Sequence, residues 1–175
     1  MPHISERGAA LPASPIRKLT PYAEAAKARG VKVYHLNIGQ PDLPTPEKAM
    51  EAIRSIDKRT LSYSMSQGTP ALREEFSKYY RTFGIDLDPD EIIVTAGGSE
   101  ALLATFLTCF DPGDEVIITE PGYANYLSFA EAAGLVVKAV TSKIENGFAL
   151  PSAEDFKKAI TPRTKAILIC NPNNP

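Results

Sequence analysis

The stretch EIIVTAGGSEALLATFLTCFDPGDEVIITEPGYANYLSFAEAAGLVVKAVT, residues 91–141, alternates short runs of β-branched residues with helical stretches. The runs lie at residues 92–95, 116–119 and 135–140, and a fourth lies further along the chain at 166–170. None of them alternates regularly between apolar and polar residues, which is typical of strands that are buried on both faces. Strands that alternate with helices predict an α/β fold with a parallel sheet, flanking helices and right-handed crossovers.

Helices are predicted between these strands and before the first of them. They lie at residues 22–29, 46–56, 70–83, 100–110, 125–133 and 152–160. The stretch 100–110 is apolar nearly all round, which predicts a buried helix. Pro46 and Pro70 each follow a threonine and suit the first position of a helix, while Ser152 and Asp155 have the spacing of a capping box.

The composition of the 175 residues is that of a folded globular protein, with 43% hydrophobic and 23% charged residues. A formal net charge of -2, without a long run of Lys and Arg, argues against nucleic acid as a partner. The charge-free stretches are shorter than the roughly 20 apolar residues that span a bilayer, so we expect no membrane segment. The N-terminus lacks the pattern of a secretory signal, and Cys109 and Cys170 form no Cys-x-x-Cys pair, which predicts a cytoplasmic protein.

Three loops follow predicted strands, where ligands bind in an open parallel sheet. The first, Ala-Gly-Gly-Ser at 96–99, leads into a helix and suits either an anion site or a plain tight turn. The second contains Tyr123, which could stack on a flat ligand or pack in the core. The third, Asn-Pro-Asn-Asn-Pro at 171–175, supplies neutral amide donors for a phenolate oxygen, or is an ordinary Asn-rich turn.

No metal site is predicted from the sequence. His3 and His35 are isolated from carboxylates and thiols at ligand spacing. The acidic residues between 86 and 91 lack the Gly and the distal Glu of an EF-hand, which favours a solvated loop.

These loops, together with LNIGQPD at 36–42 and YS-x-x-x-G-x-x-x-LR at 63–73, resemble the N-terminal half of a class I and II pyridoxal-phosphate aminotransferase. The resemblance is to the aspartate aminotransferase type, of fold type I, and it covers nearly the whole chain in the right order. It implies an N-terminal arm and small-domain segment over residues 1–45. Residues 46–175 would form the N-terminal part of the large domain, with part of its mostly parallel sheet and flanking helices.

The resemblance implies a site for pyridoxal 5'-phosphate. Gly98 and Ser99 match the positions that hold the cofactor phosphate, with Glu100 next to them at the helix start. Tyr123 matches the aromatic residue that stacks on the pyridine ring. Asn174 matches the amide that hydrogen-bonds the phenolate oxygen of the ring.

Two further residues match family positions outside the cofactor ring. Tyr63 matches a tyrosine that reaches the phosphate of the partner subunit's cofactor, which implies a homodimer. Gly39 matches a backbone position near the substrate α-carboxylate. The implied substrates are an α-amino acid, with aspartate as a candidate, and a 2-oxo acid.

The lysine that forms an imine with the cofactor in this family has no counterpart in the sequence, since the lysines present, such as Lys138, Lys143 and Lys165, do not match its position. No catalytic residue is therefore assigned, and we expect this chain to be an inactive fragment of a longer enzyme. The strands predicted at 92–95 and 166–170 would then have unpaired edges. Two other functions share these motifs: a pyridoxal-phosphate lyase of the same fold, and a non-catalytic fragment that only binds the cofactor.

Overall fold

A computed structural model describes residues 3–11, 14 and 16–174. The chain divides into two compact units. The sheet unit comprises Met1–Gly39 and Leu102–Pro175, and the helical unit comprises Gln40–Ala101. Within the described residues, every helix is too short or too polar to cross a membrane.

The sheet unit is built on three parallel strands. They are β1 (Glu115–Glu120), β2 (Val136–Thr141) and β3 (Thr164–Leu168). Their order is β2-β1-β3, so β1 pairs with a neighbour on each side. The parallel α/β architecture and three of the four predicted strands are confirmed.

Seven α-helices lie within the described residues. They are α1 (Glu6–Ala10), α2 (Thr20–Ala28), α3 (Glu47–Arg54), α4 (Pro70–Arg81), α5 (Gly98–Cys109), α6 (Ala124–Ala132) and α7 (Ala153–Ala159). The capping box of α7 is confirmed, because Ser152 Oγ accepts from the Asp155 N–H at 3.3 Å and the Asp155 carboxylate accepts from the Ser152 N–H at 3.1 Å. Pro70 opens α4 as predicted, whereas α3 begins one residue late, with Pro46 as its N-cap.

The core of the sheet unit lies where α5 and α6 pack on the sheet. Its buried members are Phe106, Val116, Ile118, Ala130 and Leu135. The prediction that α5 is buried all round is wrong, because Phe106 is its only buried residue and the adjacent Leu107 is 62% exposed. One side of the helix meets the core, and the other side faces solvent.

A buried carboxylate lies at the amino end of the sheet. Glu115, the first residue of β1, has no solvent exposure. Its oxygens accept hydrogen bonds from Thr161 Oγ1 at 2.6 Å, Arg163 Nη2 at 2.9 Å and Thr164 Oγ1 at 3.2 Å. Lys138 Nζ lies 3.6 Å from Oε1. The hydrogen bond from Thr161, followed by Arg163 and Lys138, lowers the pKa of Glu115 to about 2 against the opposing effect of burial.

We expect Glu115 to make the stability of the sheet unit depend on pH in the acidic range. Because its pKa is lower in the folded state than the usual 4.5, the ionised carboxylate stabilises the fold above that pH. That contribution is lost as pH falls from about 4.5 towards 2, the lowered pKa. In thermal unfolding followed over this range, Glu115→Gln should be less stable than wild type near neutral pH, and the difference should shrink in acid. Thr161→Val should show the same trend more weakly, and a pH-independent difference for Glu115→Gln would contradict the assignment.

Helix α4 of the helical unit buries a polar face. Arg73 Nη1 donates to Pro89 O at 2.7 Å and to Asp90 Oδ1 at 2.9 Å, while Ser77 Oγ donates to Leu87 O at 2.6 Å. The helix therefore packs on the segment that follows it through hydrogen bonds. Apolar residues at helical spacing on α4 and just after it remain partly or largely exposed, namely Leu72, Phe76, Tyr79 and Phe83.

The acidic loop after α4 caps a turn of 3-10 helix at Pro89–Glu91. Asp88 Oδ1 accepts from the Asp90 N–H at 3.0 Å, and the Glu91 carboxylate accepts from the Asp88 N–H at 2.8 Å. Among the described residues, no group of His, Cys, Asp and Glu side chains is arranged to hold a metal ion.

The prediction of a strand at 92–95 is wrong, because this segment has no strand partner within the helical unit. A single backbone hydrogen bond joins Val94 N to Gln67 O at 3.0 Å, and Ile93 is 73% exposed. A strand needs a series of such hydrogen bonds with a neighbouring strand, and this segment has one. The contact is close, since a Cβ on Gly68, whose φ is +97°, would lie 2.7 Å from Val94 Cβ.

Candidate cofactor site

The loop that leaves β1 carries a fixed aromatic ring. Tyr123 is the N-cap residue of α6, and Asn125 Nδ2 donates to its hydroxyl at 2.8 Å. The Tyr126 ring meets the Tyr123 ring at a centroid distance of 5.3 Å and an angle of 86°. Just before Tyr123 the backbone turns closely on itself, since a Cβ on Gly122 would lie 2.8 Å from the Thr119 carbonyl oxygen. Both ends of the Tyr123 side chain are therefore held.

Two cavities lie at the carboxyl ends of the strands of the sheet unit. One, of about 550 Å³, is lined in part by Tyr123, and the other, of about 570 Å³, is lined in part by Asn171 and Asn173. Pro121 and Phe148 line both cavities. The loop after β1 and the turn after β3 thus meet at one end of the sheet, as the sequence predicts for parallel strands.

The turn after β3 presents amides to solvent. Asn173 Oδ1 accepts a hydrogen bond from the Asn174 N–H at 2.8 Å, and Asn174 is exposed. Asn174 is not among the lining residues of either cavity, unlike its neighbours Asn171 and Asn173. Pro175, the last residue of the predicted motif, lies outside the described residues.

The predicted phosphate loop lies in the helical unit, at the start of α5. Gly97 has a φ of +146°, which favours glycine, and a Cβ on Gly97 or Gly98 would have no atom within 4 Å. The N–H groups in the first turn of a helix have no intrahelical partner, and Ser99 adds a hydroxyl beside them. Such a donor set with open space in front of it fits a phosphate group.

Glu100 is turned towards its own loop. Its carboxylate accepts a hydrogen bond from the Ala96 N–H, and Thr95 Oγ1 donates to Gly97 O at 2.9 Å. These bonds fix the loop that precedes α5 and give Glu100 a capping role. A role of Glu100 at the phosphate stays a prediction.

Two other predicted site residues line neither cavity. Tyr63, in the helical unit, is fully exposed, at 106% of the reference value for its residue type. Gly39 is an exposed residue at the end of the first segment of the sheet unit. Gly98 and Ser99 are the first two residues of α5, and Tyr123 lies at the same sheet end as the turn after β3. The functional roles of all these residues remain predictions.

The sequence analysis missed three residues of the candidate site, of which two contact Tyr123 and one lines the cavities. Asn125 and Tyr126 hold Tyr123, and Tyr126 could have been found from its position three residues along the same helix. Phe148 lines both cavities and has a left-handed φ of 57°, which is uncommon outside glycine. The sequence has no clear signal for that conformation beyond the preceding Gly147.

The sequence matches a known family over most of its length. Residues 31–175 match the profile of the family described as aminotransferase class I and II. The matched range includes both strand-end loops of the sheet unit and the start of α5. The chain therefore belongs to the class I and II aminotransferase family.

Particular relatives and solved structures agree with this assignment. The chain is 38% identical over 174 residues to the aspartate/prephenate aminotransferase of Thermus thermophilus, covering 98% of this chain and 45% of that protein. A crystal structure of aspartate aminotransferase from Thermotoga maritima matches with a TM-score of 0.89 at 36% identity, covering 98% of this chain and 46% of that one. The alanine aminotransferase of Pyrococcus furiosus matches with a TM-score of 0.90 at 35% identity, covering 99% and 45% of the two chains. The chain thus spans about half the length of these proteins.

Proposed function

We propose that this chain forms part of a pyridoxal-phosphate aminotransferase that moves an amino group between an α-amino acid and a 2-oxo acid. The family match over residues 31–175 carries the proposal. Aspartate is the first amino acid to test, because relatives named as aspartate aminotransferases match nearly the whole chain. When bound, pyridoxal phosphate acts as an electron sink that stabilises a carbanion at the substrate Cα.

The residues of the chain would bind and orient this cofactor. The Ser99 hydroxyl and the N–H groups at the start of α5 would hold the phosphate, where the helix dipole favours a negative charge. Tyr123 would supply a flat apolar wall for the pyridine ring. Asn174 would donate to the ring oxygen through an amide, which is neutral and so adds no charge to the site.

We further propose a cytoplasmic homodimer. The complete exposure of Tyr63 leaves its hydroxyl free to contact a second subunit, where it would donate to the cofactor phosphate. Leu61, two residues earlier, is 84% exposed, and such apolar surface favours an interface. Gly39 would lie near the carboxylate of the substrate.

The proposal is tested on the polypeptide that the complete gene encodes, here called the full gene product. Incubated with aspartate and 2-oxoglutarate, it should form glutamate only when pyridoxal phosphate is present. Release of ammonia in place of glutamate would support a lyase and contradict the proposal. Saturable cofactor binding without turnover of a panel of amino acids would instead support a non-catalytic protein that binds the cofactor. Absence of cofactor binding would refute all three functions.

A further inference from the structure

Tyr126 touches the proposed wall of the cofactor site. It lies on α6, packs against the core of the sheet unit, and meets the Tyr123 ring edge-on at 5.3 Å and 86°. In such a pair the positive edge of one ring approaches the negative face of the other, which favours this angle over alternatives. Tyr126 therefore holds the plane of the Tyr123 ring.

The other end of Tyr123 is held separately. Asn125 Nδ2 donates to the Tyr123 hydroxyl at 2.8 Å, which fixes the tip of the side chain but leaves rotation about its long axis open. The edge-on contact with Tyr126 resists that rotation. We therefore expect the orientation of the flat face to depend on Tyr126 more than on Asn125.

The side chain of Tyr126 also interacts with Cys170, the residue immediately before the Asn-rich turn at 171–174. This interaction, with burial, raises the pKa of Tyr126 to about 12. At neutral pH the phenol keeps its proton, as that of an ordinary tyrosine does.

We infer that Tyr126 is a positioning residue that sets the orientation of the Tyr123 ring, and through that ring the orientation of bound pyridoxal phosphate. The inference rests on the proposed function. It assigns to Tyr126 no contact with the reacting atoms.

Two substitutions in the full gene product separate the role of the Tyr126 ring from that of its hydroxyl. Tyr126→Leu removes both the ring and the hydroxyl, and should weaken pyridoxal-phosphate affinity about tenfold. It should also reduce the circular dichroism that the bound cofactor shows in its visible absorption band, because that signal reports a fixed asymmetric orientation. Tyr126→Phe keeps the ring and loses only the hydroxyl, so affinity and most of the dichroism should remain as in wild type.

A matched control comes from a second edge-on pair in the same core. Phe106 and Phe110 meet at 5.6 Å and 90°, and Phe110 precedes β1, whereas Tyr123 follows it. Phe110→Leu should lower the melting temperature and leave cofactor affinity and dichroism as in wild type. A merely structural role for Tyr126 predicts that all three variants change the melting temperature alone.

Three outcomes would overturn the inference. The first is wild-type affinity and dichroism in Tyr126→Leu, and the second is an equal change in Phe110→Leu. If Tyr126→Leu does not fold, loss of the dichroism in Tyr126→Phe, which keeps the ring, would refute the role of the ring contact. Absence of saturable cofactor binding by the wild-type protein would instead refute the proposed function, before any variant is compared.

Discussion

Ser99→Asp in the full gene product is expected to abolish measurable pyridoxal-phosphate binding, raising the dissociation constant by about 100-fold or more. Ser99 is the second residue of α5, beside the open space in front of Gly97 and Gly98. A carboxylate there would face the cofactor phosphate, and two like charges about 4 Å apart repel by roughly 4 kcal/mol at the effective dielectric constant of a protein surface. A difference of 1.4 kcal/mol is already tenfold in affinity.

The same substitution should leave the fold intact. An acidic residue in the first turn of a helix interacts favourably with the helix dipole, by about 0.3 to 1 kcal/mol. The melting temperature of Ser99→Asp is therefore expected to equal or exceed that of wild type. Loss of binding together with an unchanged or raised melting temperature would separate a role in the site from a role in stability.

Two controls isolate the charge at this position. Ser99→Asn matches aspartate in size without its charge, and should weaken binding about tenfold through loss of the hydroxyl. Pyridoxal lacks the phosphate, so its weaker binding should be the same in wild type and in Ser99→Asp. The assignment of Ser99 to the phosphate fails if equilibrium dialysis gives Ser99→Asp the wild-type affinity. It also fails if Ser99→Asn and Ser99→Asp weaken cofactor binding equally.

Phe106→Ala is expected to lower the free energy of unfolding by about 3 to 5 kcal/mol. Phe106 is 3% exposed at the centre of the core cluster, and its ring pairs edge-on with Phe110. Truncation removes the buried ring and leaves a cavity that the surrounding helix and strand fill only in part. Because small domains are stable by about 5 to 15 kcal/mol, this is a large share of the total.

The adjacent Leu107 provides the control for Phe106. It lies on the same helix and is 62% exposed, so Leu107→Ala should change stability by about 0.5 kcal/mol or less. Urea denaturation of both variants, followed by far-ultraviolet circular dichroism, gives the comparison. Similar transition midpoints for the two variants would show that α5 does not pack on the sheet through Phe106.

Local patterns predicted the secondary structure well where they depend on neighbouring residues. Ser152 and Asp155 marked the start of α7, and the runs of β-branched residues around 116–119 and 135–140 marked two parallel strands. The loops after β1 and β3 followed from the rule for parallel sheets. These features are set by spacing along the chain, which the sequence contains directly.

Features that depend on distant partners could not be predicted in the same way. The run at 92–95 has the composition of a strand, but strand formation needs a ladder with a second segment. The apolar character of α5 and the apolar residues at helical spacing along α4 indicate faces that can be buried, and not which segment covers them. In the candidate site, Tyr123 and its neighbour Tyr126 could be named from the sequence, whereas the left-handed conformation of Phe148, which lines both cavities, could not.

The order β2-β1-β3 places the strand that leads to Tyr123 between two others. Of the three described strands, β1 alone is paired along both sides, and its first residue, Glu115, is also joined by side-chain bonds to Thr164, the first residue of β3, and to Arg163 just before it. A ring that stacks on a flat ligand would tolerate little positional error. In the proposed site, the sheet would therefore set the position of the loop that carries Tyr123, and Tyr126 the orientation of its ring.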